Sequence, residues 1–75
     1  MRLPTLTSRK VVRALKKAGF YEARQTGSHL FLVKHDGDSK LIVSVPIHAK
    51  DIKRSLLFEI IRQANLTVEQ FLTLL

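Results

Sequence analysis

Two short segments of turn-forming residues, each containing a glycine, constrain the fold of this chain most strongly. Thr26-Gly27-Ser28 and Asp36-Gly37-Asp38-Ser39 separate three stretches of strand-like pattern, at residues 20–25, 29–35 and 40–45. Connections this short join antiparallel neighbours. The pattern therefore predicts a three-stranded antiparallel meander.

The lengths of the two turns predict how the strands pair. If the second turn closes on Gly37-Asp38, residue 35 pairs with residue 40, and the same register places Leu32 beside Val43 and Leu30 beside Val45. A first turn of two or four residues is expected to pair Arg24 with His29.

Side-chain alternation along these strands sorts the predicted sheet into two faces. The face that we expect helices to cover comprises Tyr21, Ala23, Leu30, Leu32, Leu41, Val43 and Val45. The opposite, open face comprises Phe20, Glu22, Arg24, His29, Phe31, Val33, His35, Ile42 and Ser44. Phe31, Val33 and Ile42 would form an exposed apolar patch there, and such a patch beside charged residues often marks a protein interface. We therefore expect a partner or a self-contact on the open face.

The sequence predicts an amphipathic helix before the sheet. Thr7 or Ser8 can cap its start, and Gly19 can take the left-handed position that follows its end at Ala18. Its apolar face comprises Val11, Val12, Leu15 and Ala18, and its basic face comprises Arg9, Lys10, Arg13, Lys16 and Lys17. A basic face is usually only a solvated face, but five cations without an acid could also bind phosphates. Residues 1–6 are expected to form a short extended leader.

A second helix and a short third one are predicted after the sheet. Asp51 is a plausible N-cap of the second helix, and Asn65 can take the left-handed position that ends it. Its predicted apolar stripe comprises Ile52, Leu56, Leu57, Ile60, Ile61 and Ala64, with Arg54, Phe58 and Arg62 opposite. Thr67 and Gln70 have the spacing of a capping box. The last helix follows, and its Val68, Phe71, Leu72 and Leu75 are expected to close one end of the core.

Charge and composition limit the function classes. The 75 residues suit one domain, and 13 Lys and Arg against 6 Asp and Glu give a net charge of +7, which favours a polyanionic partner such as nucleic acid. The chain has no cysteine, so it has no disulfide framework or thiolate metal site. It lacks a signal-peptide pattern and a membrane-spanning segment, so we expect a cytoplasmic protein.

His29 is the first candidate for chemistry, because histidine is the side chain whose ordinary pKa lies near neutrality and because a tight glycine turn precedes it. In RNA the 2′-hydroxyl is an internal nucleophile, so a base and a phosphate-binding cation can suffice for cleavage. His29 could be that base, and Arg24, on the same predicted face, could hold the phosphate. A strand histidine can equally be structural or merely exposed. We expect neither a metal nor a cofactor, since His29, His35 and His48 lack a ligand spacing.

Three segments and the C-terminal third together resemble a known family. Leu15-Lys16-Lys17-Ala18-Gly19-Phe20, Gln25-Thr26-Gly27-Ser28-His29 and Val43-Ser44-Val45-Pro46-Ile47-His48, in this order, are similar to the HicA (YcfA-like) family of small toxins, as are residues 53–72. The resemblance covers nearly the whole chain. Ser55 and Asn65 depart from it, since the family commonly has glycine at both positions.

The resemblance implies an α+β fold of two layers with the α-β-β-β-α order of double-stranded-RNA-binding domains, which agrees with the elements predicted above. It also implies a ribosome-independent mRNA interferase of a type II toxin–antitoxin system, monomeric when free and silenced by a HicB-type antitoxin. The catalytic histidine of the family's Gly-Ser-His motif corresponds to His29, with Gly27 and Ser28 before it. His48 corresponds to the second histidine, and it is either an RNA contact or an ordinary loop residue.

The resulting prediction is an RNA-cleaving toxin with His29 as its general base. Arg24 and the basic face of the first helix, through Lys10, Arg13 and Lys17, are expected to bind the RNA backbone. Two alternatives stay open. One is a non-catalytic double-stranded-RNA-binding module of the same fold, and the other is a degenerate family member that binds the antitoxin without toxicity.

Overall fold

The computed structural model describes residues 5–48 and 50–75. It contains α1 (Ser8–Lys17), β1 (Tyr21–Thr26), β2 (His29–Asp36), β3 (Ser39–Pro46), α2 (Arg54–Gln63) and α3 (Val68–Thr73). The strands form one antiparallel sheet in the order β1-β2-β3. This arrangement confirms the predicted α+β fold with its α-β-β-β-α order and a short additional C-terminal helix. In the described residues no helix is long and apolar enough to cross a membrane.

The hairpin between β2 and β3 confirms the predicted register. It turns through Gly37-Asp38, so that Asp36 pairs with Ser39, and further along Leu32 pairs with Val43. Leu30 likewise pairs with Val45. Because this register is continuous from end to end, the alternation of side chains predicted for these two strands holds along their full length.

The hairpin between β1 and β2 corrects one prediction. Its turn consists of Gly27 and Ser28 alone, so Thr26 pairs with His29 and Arg24 pairs with Phe31. The predicted pairing of Arg24 with His29 is therefore wrong. Paired residues share a face, so Arg24 and His29 still lie on the same side of the sheet, as diagonal neighbours.

A bulge in β1 reverses the faces predicted for its first residues. The register shifts between Glu22 and Arg24, so that Tyr21 pairs with Val33 and Glu22 pairs with Leu32. One extra residue moves every preceding side chain to the other face. Tyr21, predicted to be covered, is thus 48% exposed, whereas Phe20 is buried. Glu22, predicted on the open face, forms an ion pair with Lys16 of α1.

Ala23 is the extra residue of the bulge and has no partner on β2. It was predicted on the helix-covered face, but it is exposed.

Helices α1 and α2 cover one face of the sheet and enclose the core with it, and α3 packs against α2. The largest fully buried side chains are Val11, Leu15, Leu32, Val43, Val45, Ile52, Leu57, Ile60 and Phe71. The predicted ends of α1 are confirmed: the Thr7 hydroxyl accepts a hydrogen bond from the Lys10 N–H (3.3 Å), and Gly19 follows the helix with φ 104°. Val12 and Ala18 pack against the core while remaining partly exposed.

The start of α2 differs from the prediction. The helix begins at Arg54, with Lys53 at the N-cap and no side-chain cap, so Asp51 is not the N-cap. Ile52, predicted on the helical stripe, instead forms a β-bridge in which its N–H donates to the Leu6 carbonyl (2.8 Å). Both side chains are buried, so Ile52 belongs to the core through an extended segment.

The remaining stripe of α2 is narrower than predicted. Leu57, Ile60, Ile61 and Ala64 are buried, but Leu56 is 39% exposed. Leu56 lies about 100° around the helix from Leu57 and so falls outside the face that meets the sheet. Phe58 is 50% exposed, as the helical phase predicts.

The last turn and α3 follow the predicted pattern except at the terminus. Asn65 has φ 58°, and Thr67 and Gln70 form the capping box that starts α3. Phe71 is fully buried, whereas Leu75, predicted to close the core, is 46% exposed. The predicted leader lies partly outside the described residues, which begin at residue 5.

Candidate functional site

His29 is the first residue of β2 and directly follows the two-residue turn. Gly27 has φ 57°, and a positive φ at the first central residue is typical of a type II′ hairpin turn. A side chain at this position would meet no neighbour, so the backbone angle is what favours glycine. The His29 side chain is exposed. The sequence thus presents an accessible imidazole on a short, regular hairpin.

Residues from three elements meet around this hairpin. His29 is paired on its other side with Pro46 at the end of β3. The Ser28 carbonyl accepts a hydrogen bond from the Ile47 N–H (2.8 Å). The buried Ser8 hydroxyl, at the start of α1, donates to the Pro46 carbonyl. These contacts fix the position of the His29 backbone from both neighbouring strands and connect it to α1.

His48 lies just beyond this assembly. It is two residues past Pro46, the residue opposite His29, and it is exposed. Because β2 and β3 are antiparallel, the end of β3 lies beside the start of β2. His48, just past the end of β3, is therefore at the same end of the sheet as His29.

Arg24 lies on the open face, and its pairing partner Phe31 is two residues from His29 along β2. Its guanidinium is 5.1 Å from the centre of the Phe31 ring, a cation–π contact. Diagonal neighbours in an antiparallel pair are about 7–8 Å apart, a distance that an arginine side chain spans. The Arg24 side chain is therefore long enough to reach the surroundings of His29 on this face.

A groove of about 600 Å³ runs between α1 and the first hairpin, on the helix-covered side of the sheet. It is lined by Ser8, Arg9, Val12, Arg13, Lys16, Glu22, Gln25, Leu30 and Ile47. Of the cations predicted to bind RNA, Arg13 lines this groove. Arg9 and Lys16 also line it, although they were predicted only as part of the basic face of α1. Their spacing could have identified Arg9 and Lys16 as neighbours of Arg13, since residues 9, 13 and 16 lie along one side of a helix.

The other two cations of α1 that are predicted to bind RNA, Lys10 and Lys17, lie outside this groove. Lys10 and Arg13 border a second cavity of about 320 Å³ that also touches Leu74 and Leu75. Lys17 is the last residue of α1 and is exposed. The structure therefore distributes the basic residues over the outer surface of α1, with Arg13 at the border of both cavities.

The predicted apolar patch on the open face is unevenly accessible. Ile42 is 51% exposed, and Phe31 is partly buried beneath Arg24. Val33 is only 6% exposed, although it faces away from the main core. Most of the accessible apolar surface of the patch therefore comes from Ile42 and Phe31.

Within residues 5–48 and 50–75, no three histidine or carboxylate side chains come together in a way that could hold a metal ion. The acids of the second turn, Asp36 and Asp38, are exposed, as is Asp51.

The fold and the site define a class: a small basic α+β domain of α-β-β-β-α order that presents a Gly-Ser-His hairpin. A protein-family model described as the HicA toxin of bacterial toxin–antitoxin systems matches residues 8–66, which is most of the chain. The chain belongs to the HicA toxin family. A search of curated proteins found no match. The Leu6 bridge and α3 lie outside the matched residues.

Proposed function

We propose that this toxin is a metal-independent endoribonuclease that cleaves mRNA in the cytoplasm, with His29 as its general base. The observation that carries the proposal is the position of His29: its side chain is exposed at the head of the central strand, and its backbone is paired on both sides. A general base must be accessible to the substrate, and the exposure of His29 supports this role. Membership of a toxin family supplies the biological context.

The chemistry uses the substrate's own nucleophile. His29 takes the proton of an RNA 2′-hydroxyl, the oxygen attacks the adjacent phosphorus, and the bond to the 5′-oxygen breaks. The leaving oxygen takes up a proton from water and His29 releases its proton to solvent, so that the products carry a 2′,3′-cyclic phosphate and a 5′-hydroxyl. Arg24 stabilises the charge on the phosphorane through its fork of donors. Gly27 and Ser28 shape the turn, and His48 contacts the RNA from the end of β3.

The test is incubation of the purified protein with end-labelled RNA in the presence of a metal chelator. Strand scission that leaves a 2′,3′-cyclic phosphate is expected, and an analogue with 2′-deoxy nucleotides should stay intact because it lacks the nucleophile. An intact RNA ligand combined with salt-sensitive binding of duplex RNA would instead support the non-catalytic binding module.

The basic surface of α1 is proposed to bind the RNA backbone. Replacing Lys10, Arg13 and Lys17 together with glutamine should weaken RNA binding and reduce the slope of log Kd against log salt by about 0.7 per lost phosphate contact, or roughly 2 in total. Binding titrations across a salt series measure this slope. A control variant with Lys53, Arg54 and Arg62 changed to glutamine loses the same charge elsewhere. Equal effects in both variants would show that net charge, and not this surface, governs binding.

A HicB-type antitoxin is proposed to bind the open face through Phe31, Val33 and Ile42. Because Val33 is nearly buried, Phe31 and Ile42 supply the contact area. Changing Phe31 and Ile42 together to serine should weaken antitoxin binding by at least about tenfold, since buried aromatic residues dominate such interfaces. Calorimetric titration with the cognate antitoxin measures the affinity. An unchanged affinity would place the interface elsewhere, and binding without toxicity would identify a degenerate family member.

A further inference from the structure

The open face of the sheet has a chemical character that differs from the rest of the surface. The register places Tyr21, Arg24, Phe31, His35, Lys40 and Ile42 on it. None of the strand residues that the structure describes on this face is acidic. The acids of the three strands are Glu22, which pairs with the core residue Leu32, and Asp36, which pairs with Ser39 next to the second turn. The face therefore combines planar side chains with positive charge.

The planar groups occur as two pairs, one a cation–π contact and the other a stack of two rings. The Arg24 guanidinium lies 5.1 Å from the centre of the Phe31 ring. The Tyr21 and His35 rings stack with their centres 6.0 Å apart and an angle of 23° between their planes, and the Tyr21 hydroxyl lies 3.0 Å from His35 Nε2. Tyr21 is 48% exposed. The Arg24–Phe31 pair lies after the bulge of β1 and the Tyr21–His35 pair before it, and the side chains of Arg24, Tyr21 and His35 are exposed.

Both pairs lie along β2 on the same face as His29. At about 3.3–3.4 Å per residue, Phe31 is about 7 Å and His35 about 20 Å along the strand from His29. A polynucleotide that follows β2 from the proposed catalytic residue would meet first the Arg24–Phe31 pair and then the Tyr21–His35 pair. Lys40, paired with His35 across the sheet, adds a cation at the far end.

We infer that this face binds single-stranded RNA, with unpaired bases stacking on the Arg24–Phe31 and Tyr21–His35 pairs. The inference rests on the proposed function and names the substrate class: single strands instead of duplexes. Aromatic rings and guanidinium planes bind the faces of bases, and those faces are accessible only where a strand is unstacked. The basic surface of α1 can hold the backbone of either RNA, so a duplex would depend on that surface and not on the two pairs.

The test is fluorescence anisotropy with a labelled 2′-O-methyl RNA oligonucleotide, which lacks the nucleophilic hydroxyl and so stays intact. Tyr21→Leu and Phe31→Leu each keep an apolar side chain but remove the ring. Loss of one stacked base is worth about 1–3 kcal/mol, so each variant should bind the single strand about 5- to 150-fold more weakly. Binding of a duplex of the same length should stay the same.

Phe58→Leu is the matched control, because Phe58 is 50% exposed and lies on α2 instead of the sheet. It should bind both RNAs as the wild type does. Thermal unfolding checks that each variant is folded. If Phe31→Leu is unstable, Tyr21→Leu decides the matter, since Tyr21 lies half exposed on the edge strand.

Three outcomes would overturn the inference: unchanged affinity for the single strand in both sheet variants, an equal loss of duplex binding, or a loss of antitoxin binding alone. The failure of this inference is distinguishable from that of the proposed function. Stacking without cleavage of unmodified RNA would contradict the nuclease, and cleavage that is insensitive to Tyr21 and Phe31 would contradict the stacking surface.

Discussion

Replacing His29 with alanine is expected to slow RNA cleavage by about 10²–10⁴-fold, the usual contribution of a positioned general base. RNA affinity should be nearly unchanged, because the cations proposed to bind the backbone lie on α1 and at Arg24. Rates of cleavage at saturating protein, together with binding of an uncleavable RNA, separate the two effects. In cells, induced expression of the wild type should arrest growth with mRNA decay, and His29→Ala should do neither.

His35→Ala is the control for this experiment. His35 is also exposed, lies on the same face of the same strand and differs mainly in its distance from the turn. Its loss should leave the chemical step intact and affect only the binding of longer RNA. His48→Ala tests the second histidine and should weaken binding more than catalysis. A His29→Ala protein that cleaved RNA at the wild-type rate would remove His29 from the mechanism.

Replacing Phe71 with alanine is expected to destabilise the protein by about 3–5 kcal/mol, the usual cost of deleting a buried phenyl ring. Phe71 is fully buried and is the buried residue of α3, so its ring attaches this six-residue helix to the core. At roughly 0.05–0.15 kcal/mol per residue, a chain of 75 residues has about 4–11 kcal/mol of stability in total. The substitution should therefore unfold a large fraction of the protein or lower its urea midpoint severely.

Phe58→Ala makes the same chemical change at a residue that is 50% exposed. Its free energy of unfolding should change by no more than about 0.5 kcal/mol. Urea unfolding of both variants, followed by circular dichroism, measures the difference. Because α3 lies beyond the residues matched by the family model, a Phe71→Ala protein as stable as the wild type would mean that α3 is an appendage and not part of the core.

Much of the fold was predictable because local patterns specified it. The two glycine turns located the meander, and Thr7, Gly19, Asn65 and the Thr67 capping box marked helix ends at the positions the structure has. The register of β2 with β3 followed from the length of one turn. The candidate site was predictable to the same extent: the Gly-Ser-His hairpin is a local feature, so His29 could be placed at the head of a strand from the sequence.

The groove beside the hairpin was only partly predictable, because several elements contribute to its surface. Arg9, Lys16 and Gln25 line the groove beside the hairpin, but Gln25 reaches it from β1 and the two cations reach it from α1. The stacking of Tyr21 on His35 depends on the same kind of long-range placement. A single strand or helix pattern contains no information on which other element lies opposite it.

The sequence by itself determined the order of the elements, the two hairpin turns and the exposed histidine after the first of them, because these depend on residues close together in the chain. The tertiary structure alone decided the bulge at Ala23, which put Tyr21 rather than Glu22 on the open face. It also decided the bridge between Ile52 and Leu6, which moved the N-cap of α2 from the predicted Asp51 to Lys53. In both cases the physical reason is packing between residues that are distant in sequence: the bulge accompanies the burial of Phe20 in the core, and the bridge buries Leu6 and Ile52.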